Sequence, residues 1–319
     1  MNSTLLINNL SNPAFLFFLL GIIAVRLKSD LEIPSNSAKF ISLYLLFSIG
    51  FKGGQELAHE SITLDVIIAM LFGMFISFII PLYTFFIGKR FTSVENAAAI
   101  AASYGSVSAV TFVTAASYLE FQHLHWHGHM VAVMALMEFP AIITGLLLYA
   151  IYQNQRQEQI AYKKHIQHAL TNGSVLLIVG SLLIGYFSNP QQAEGIKPFT
   201  NDLFKGFLAI FLLYMGIESG KKLDTFFKNG WFPILFAIFI PLLNGALFTY
   251  VAHWITPDSA NRFMFGILAA SASYIAVPAA MQLAIPKANA GLYLPMALTL
   301  SFPINITIGM TLYYQIAQL

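Results

Sequence analysis

Ten separate apolar stretches constrain this chain more than any other feature. A hydrocarbon core of about 30 Å takes roughly 20 apolar residues to cross as a helix. Windows of that kind fall near residues 5–26, 38–57, 62–88, 96–119 and 130–152, and again near 173–188, 203–219, 231–255, 263–285 and 291–316. The one long polar stretch, QNQRQEQIAYKKHIQH from Gln153 to His168, falls between the two sets. The 319 residues are 57% hydrophobic and 9% charged. A soluble domain carries about a quarter charged residues, so the solvent of this chain is lipid. The expected organisation is a first five-helix unit over 1–152, a linker over 153–172 and a second five-helix unit over 173–319.

The two units resemble each other. Ile49-Gly50-Phe51 with Gly54 matches Met215-Gly216-Ile217 with Gly220, and Ala101 to Ser103 (AAS) matches Ala269 to Ser271. Phe139-Pro140 with Ile143-Thr144 matches Phe302-Pro303 with Ile306-Thr307. The offsets of 166, 168 and 163 are nearly constant, as a duplication requires. Five is odd, so the second unit enters from the opposite side and the repeat is inverted, an architecture of secondary transporters. Loops after odd-numbered spans hold twelve of the 16 Lys and Arg residues, and the other side holds only Lys52, Lys197, Lys205 and Arg262. The positive-inside rule then sets the linker in the cytoplasm and both termini outside. The N-terminus lacks the basic start of a signal peptide, and the first run reads as a retained helix.

Other classes are excluded by composition. A net charge of +2 with no basic run offers nothing to a nucleic-acid backbone, and the absence of cysteine removes disulfides, thiolate metal sites and a cysteine nucleophile. A channel would want an uninterrupted polar lining, and an intramembrane enzyme a nucleophile with a base in mid-span; neither pattern occurs. No catalytic residue and no covalent cofactor is expected.

The fourth and ninth spans stand apart. SYGSVSAVT from Ser103 to Thr111 and SASYIAVPA from Ser271 to Ala279 occupy equivalent places and are polar in mid-membrane. Gly105 tolerates unusual dihedrals, Pro278 removes a backbone donor, and the hydroxyls can satisfy freed backbone groups, so each span is expected to break. Half-helix N-termini then meet near the midplane, where unpaired N–H groups suit a small anion and facing carbonyls suit a cation. Close packing of small residues is the better explanation of one such segment alone, but two at symmetric positions favour a site.

These segments carry a family resemblance. GSVSAVTFVTAASYLE from Gly105, the Phe-Pro pair after Glu138, LFKGFLAIFLLYMGIES from Leu203 and AASASYIAVPAAMQLAIPKAN from Ala269 together resemble the sodium-dependent bicarbonate transporter family known from cyanobacteria. The resemblance implies a ten-helix inverted repeat with core and gate parts, a homotrimer in the bacterial inner membrane, and bicarbonate bound between the broken helices beside sodium. It also implies a PII-like regulator as a partner. By position, the substrate-binding stretches are Gly105, Ser106, Val107, Ser108 and Thr111, facing Ser271, Ser273, Tyr274, Ile275 and Ala276. The chain departs from the family where Ser271-Ala272-Ser273-Tyr274 replaces SSSD, which removes a carboxylate, where Val110 replaces a serine, and where Glu138 stands for an expected aspartate.

Glu138 and Asn305 are the ion-coupling candidates. An intramembrane carboxylate is expensive and defaults to function, while Asn305 supplies a neutral ligand or an interhelical hydrogen bond. Lys52 is expected to pair with Glu56, and Glu218 with Lys221 or Lys222, as interfacial ion pairs. His123, His125, His127 and His129 read as solvated interfacial histidines, with no accompanying metal motif. Trp126, Trp231 and Trp254 read as an aromatic belt. The function expected from all this is a symporter of a small anion, sodium-coupled bicarbonate uptake first. Carriage of another small anion with altered or no sodium coupling, and a non-transporting sensor on the same fold, remain as alternatives.

Overall fold

The computed structural model describes residues 13–59, 63–153, 173–227, 230–274, 277, 280–281 and 284–319. The linker after Gln153 lies outside them, as do Ile275, Ala276 and Pro278. Every regular element among the described residues is helical. In chain order these are α1 (Pro13–Arg26), α2 (Ser35–His59), α3 (Leu64–Lys89), α4 (Val94–Gly105), α5 (Ala109–Phe121), α6 (His129–Tyr152), α7 (Gly173–Phe187) and the short α8 (Pro190–Glu194). There follow α9 (Phe204–Phe227), α10 (Trp231–Val251), α11 (Ser259–Ala270) and a continuous helical run, α12 (Ala290–Ala317).

Among the described residues, six helical segments are long and apolar enough to cross a membrane: Leu64–Lys89, Val94–Phe121, His129–Tyr152, Pro198–Lys221, Trp231–Trp254 and Ala290–Ala317. Leu16–Arg26 and Leu176–Phe187 are apolar but shorter. Helical backbone satisfies its own hydrogen bonds, which is what hydrocarbon demands of it. The helices α3 and α10 present large apolar side chains outward, through Leu71, Phe75 and Phe78 on the first and Phe239, Leu243 and Leu247 on the second, all exposed.

The helices sort into two packed groups. In one, α1 packs along α9 and α2 along α7; in the other, α3, α4 and α6 pack together, as do α10, α11 and α12. Glycines set the first group's spacing. A Cβ on Gly216 would come within 2.0 Å of Phe18 O, and one on Gly21 within 2.4 Å of Leu213 O. In the other pair, a Cβ on Gly54 would reach Leu182 O at 2.0 Å and one on Gly185 would reach Phe51 O at 2.2 Å. Such backbone-to-backbone approach is how membrane helices gain van der Waals contact without a hydrophobic drive between them.

The second group buries the broken spans. Ala97, Ala98, Ala99, Ile100, Ala101 and Ala102 are all fully buried, because this run of small side chains lets α4 sit between α3 and α6. Ser93 caps α4 by accepting from Asn96 N at 3.3 Å, and Asp258 caps α11 by accepting from Asn261 N at 2.8 Å. Trp231 and Trp254 are 62% and 70% exposed, as a belt requires, but Trp126 is only 5% exposed. Trp126 packs edge-on against Phe112 at 5.6 Å, so it belongs to the interior and not to the belt.

Gly216→Ala should lower stability by about 1–3 kcal/mol through overpacking of α1 against α9. Gly206→Ala, where a Cβ meets nothing within 4 Å, should be neutral or slightly stabilising. Thermal unfolding of the two purified variants in detergent checks the difference in sign.

Candidate functional site

The fourth span breaks where the sequence indicates. The helix α4 ends at Gly105, Ser106 is extended at φ −87° and ψ 178°, and α5 restarts after Ser108. Gly105 is required there: a Cβ would lie 2.2 Å from the Pro81 ring. Ser108 caps α5 by accepting from Thr111 N at 3.2 Å. The N–H groups of Ala109 and Val110, at the first two positions of α5, have no intrahelical carbonyl to serve.

The ninth span leaves its helix in the same way. The helix α11 ends at Ala270, and Ser271 is extended at φ −73° and ψ 160°. Ser273 Oγ then accepts from Val277 N at 3.2 Å. Each extended segment pairs with the other. Ser273 N donates to Ser103 O at 2.8 Å, supplying a carbonyl in the last turn of α4, and Ser108 N donates to Ser271 Oγ at 3.1 Å. The Ser271 hydroxyl itself donates to Leu268 O at 2.8 Å. Asn305 Nδ2 donates to Ala270 O at 2.8 Å, and Asn305 Oδ1 accepts from Tyr313 OH at 3.1 Å.

A cavity of about 30 Å³ lies beside this crossing. Of the residues expected to form the site, Val107, Ser108, Ser273, Tyr274 and Glu138 line it. Gly105, Ser106, Thr111 and Ser271 are buried in the turns behind, and Asn305 stands at the end of α11 as an interhelical hydrogen-bonding residue. Ile275 and Ala276 lie outside the described residues. Several polar atoms here are buried with no hydrogen-bond partner among the described residues: Ser103 Oγ, Ser106 Oγ, Glu138 Oε2 and the Tyr274 hydroxyl. The Tyr274 hydroxyl lies beside Ser108 without a bond of normal geometry. Its ring packs edge-on against Phe302 at 6.3 Å. Glu138 is 9% exposed and makes no ion pair among the described residues.

The far wall of the cavity comes from the other helix group: Ser42, Leu45 and Leu46 of α2, with Ile178 of α7. Sequence reading missed these, and only the mid-helix hydroxyl of Ser42 hinted at them. Tyr274 and Ser42 also line a separate cavity of about 250 Å³ that contains Lys39 and Glu218. Tyr274 therefore forms part of the wall between the two.

The remaining polar expectations sort as follows. Lys52 pairs with Glu120 at 2.6 Å and not with Glu56, because α5 brings a carboxylate across from the other group. Glu218 pairs with Lys221 at 3.3 Å, as expected. The histidines are not uniformly solvated: His127 Nδ1 sits 2.9 Å from Asn261 Nδ2, and His129 is buried.

Membrane-length helices surrounding a buried crossing of two extended segments define a multi-pass membrane protein. The sequence profile of the Na+-dependent bicarbonate transporter superfamily matches residues 13–318, and the chain belongs to that superfamily. No curated protein matches it.

Ser271→Ala leaves the buried Ser108 N–H without its acceptor and should cost about 1–3 kcal/mol. Tyr274→Phe removes a hydroxyl that has no partner and should leave stability within about 0.5 kcal/mol of the parent. Chemical or thermal denaturation of the two variants in parallel reads the contrast.

Proposed function

We propose that this protein is a secondary active transporter that takes up a small anion, bicarbonate first, by symport with sodium across the bacterial inner membrane. The observation that carries this is the paired crossing at Ser103–Ser108 and Ser271–Ser273, with donors but no basic residue around one buried cavity. Bicarbonate is planar and oxygen-rich. It would accept from the free N–H groups of Ala109 and Val110 and from the hydroxyls of Ser108, Ser273 and Tyr274, at the positive end of the α5 dipole. The remaining substrate residues are Gly105, Ser106, Val107, Thr111 and Ser271 on the described side and Ile275 and Ala276 beyond it.

Glu138 beside an anion is tolerable only with a cation present, and sodium held by its carboxylate and neighbouring hydroxyl oxygens supplies one. Asn305 acts in this scheme through the backbone at Ala270 and not as a direct ligand. A cavity of about 30 Å³ admits a water-sized body, so a four-heavy-atom anion requires the wall to move. Because one wall belongs to α2 and α7 and the other to the broken spans, sliding one group against the other opens it. That is how alternating access works around a fixed site.

The same reading includes ten spans as two inverted repeats, over 1–152 and 173–319, with 153–172 as a cytoplasmic linker and both termini outside. The packing supports it: the α1–α9 and α2–α7 pairs exchange under the repeat, and so do the α3, α4, α6 and α10, α11, α12 sets. Gly50 and Gly54 pack on the helix of Gly185, and Gly216 and Gly220 on the helix of Gly21. Those glycines match at offsets of 166 and 164. The homotrimer and the PII-like regulator rest on family resemblance.

Uptake into proteoliposomes, with and without an inward sodium gradient, tests the reading with bicarbonate and a panel of small carboxylates and inorganic anions. Bicarbonate flux accelerated by sodium is the expected result. Glu138→Gln should abolish the acceleration, and Tyr274→Asp, which restores a carboxylate, should deepen the dependence on sodium. A second reading, a non-transporting sensor, is favoured by the Tyr274 ring at the cavity wall; absence of flux for every anion would establish it over the first.

A further inference from the structure

The other large opening lies at the far end of the broken span. A cavity of about 480 Å³ is lined by Lys52, Glu56 and Ser48 of α2, Lys205 of α9 and Glu120 of α5, together with His123 and His125. Glu120 is held at both oxygens: Oε1 takes Lys52 Nζ at 2.6 Å, and Oε2 faces Lys205 Nζ at 3.4 Å. Ser48, one turn from Lys52 on α2, is 1% exposed, and its hydroxyl lies beside that of Tyr44 without a bond of normal geometry.

Three features make this more than a surface ion pair. Only four Lys and Arg residues fall on the outer side by the charge count, where lysine is disfavoured, and two of them converge here from different helices. Both lysines come from the group of α1, α2, α7 and α9, whereas the carboxylate comes from the other group. The cavity also leads inward: Ser48 and Ile49 line it, and Leu45 and Leu46, the next turn of α2, line the central cavity.

We propose that Lys52 and Lys205 form an outer capture site for the small oxyanion, which it occupies before the central cavity. Glu120 is the built-in competitor for that cradle, and Ser48 is the next donor on the way in. A carboxylate and bicarbonate present the same O–C–O edge, so a pair of ammonium groups that chelates Glu120 also fits the substrate in its place. Glu120 and Glu56 together balance the two lysines in the cavity lining, so the anion is held by the local placement of the two ammonium groups, and Glu120 keeps the cradle from holding it too long. When the two groups slide, Glu120 is drawn away from both lysines and the cradle is free. This rests on uptake of a small anion from that face.

The test compares Lys52→Gln, Lys205→Gln and Glu120→Gln for bicarbonate uptake across a range of external concentrations at fixed ionic strength. The lysine variants should raise KM about three- to tenfold with the maximal rate little changed, and Glu120→Gln should lower KM. Lys52→Arg should restore the parent value. A purely structural latch predicts that all three variants shift KM in the same direction, since each breaks at least one of the two ion pairs to Glu120; that result, or no shift in any, overturns the proposal. If the parent carries no anion, the transport reading fails on its own. The capture site is then read from thermal stabilisation by sodium bicarbonate, with sodium isethionate balancing the salt. Stabilisation lost in the lysine variants and enlarged in Glu120→Gln supports the site, and equal stabilisation in all four proteins overturns it.

Discussion

Everything here depends on a backbone that leaves the helix inside the membrane. Each peptide group released from a helix in hydrocarbon costs several kcal/mol unless it finds a partner. The protein meets this by crossing its two interrupted spans, so that the Ser273 N–H serves a carbonyl of α4 and the Ser271 hydroxyl serves the N–H of Ser108. Asn305 covers the last carbonyl of α11 in the same way. The interruption is thereby satisfied internally at some points and left open at others, and the open points surround the cavity.

That requirement explains the division of the molecule. The broken spans are almost wholly buried, behind α3 and α6 on one side and α10 and α12 on the other. The pairs α1–α9 and α2–α7 are joined by glycine contacts too close to admit a methyl group, which makes each pair stiff. Between the stiff pairs and the buried spans lie all three cavities described above, and the ion pairs of Glu120 bridge the same boundary. The boundary between groups is where polar side chains collect and where relative motion is cheapest.

Much of this was legible beforehand for identifiable reasons. A mid-span Gly-Ser cluster and a mid-span proline are costly in a lipid-facing helix, so the break between Gly105 and Ser108 could be read directly. The family assignment also followed from ordered motifs along nearly the whole chain. What could not be read was partnership across the sequence. Glu120 reaches Lys52 over 68 positions, and nothing local favours it over Glu56 one turn away. Trp126 sits in a loop that looks interfacial until α5 folds Phe112 beneath it.

The sequence by itself determined that the chain is helical, lies in a membrane and interrupts two of its spans, because hydropathy and the chemistry of Gly, Ser and Pro act over a few residues. Only the tertiary structure decided which atoms meet at the interruption. It gave Asn305 to the end of α11 and Glu138 to the cavity, and it set Ser42 from a distant helix opposite Ser108. Those outcomes depend on how far apart two helix groups stand, and that distance is set by side-chain volumes contributed from several spans at once.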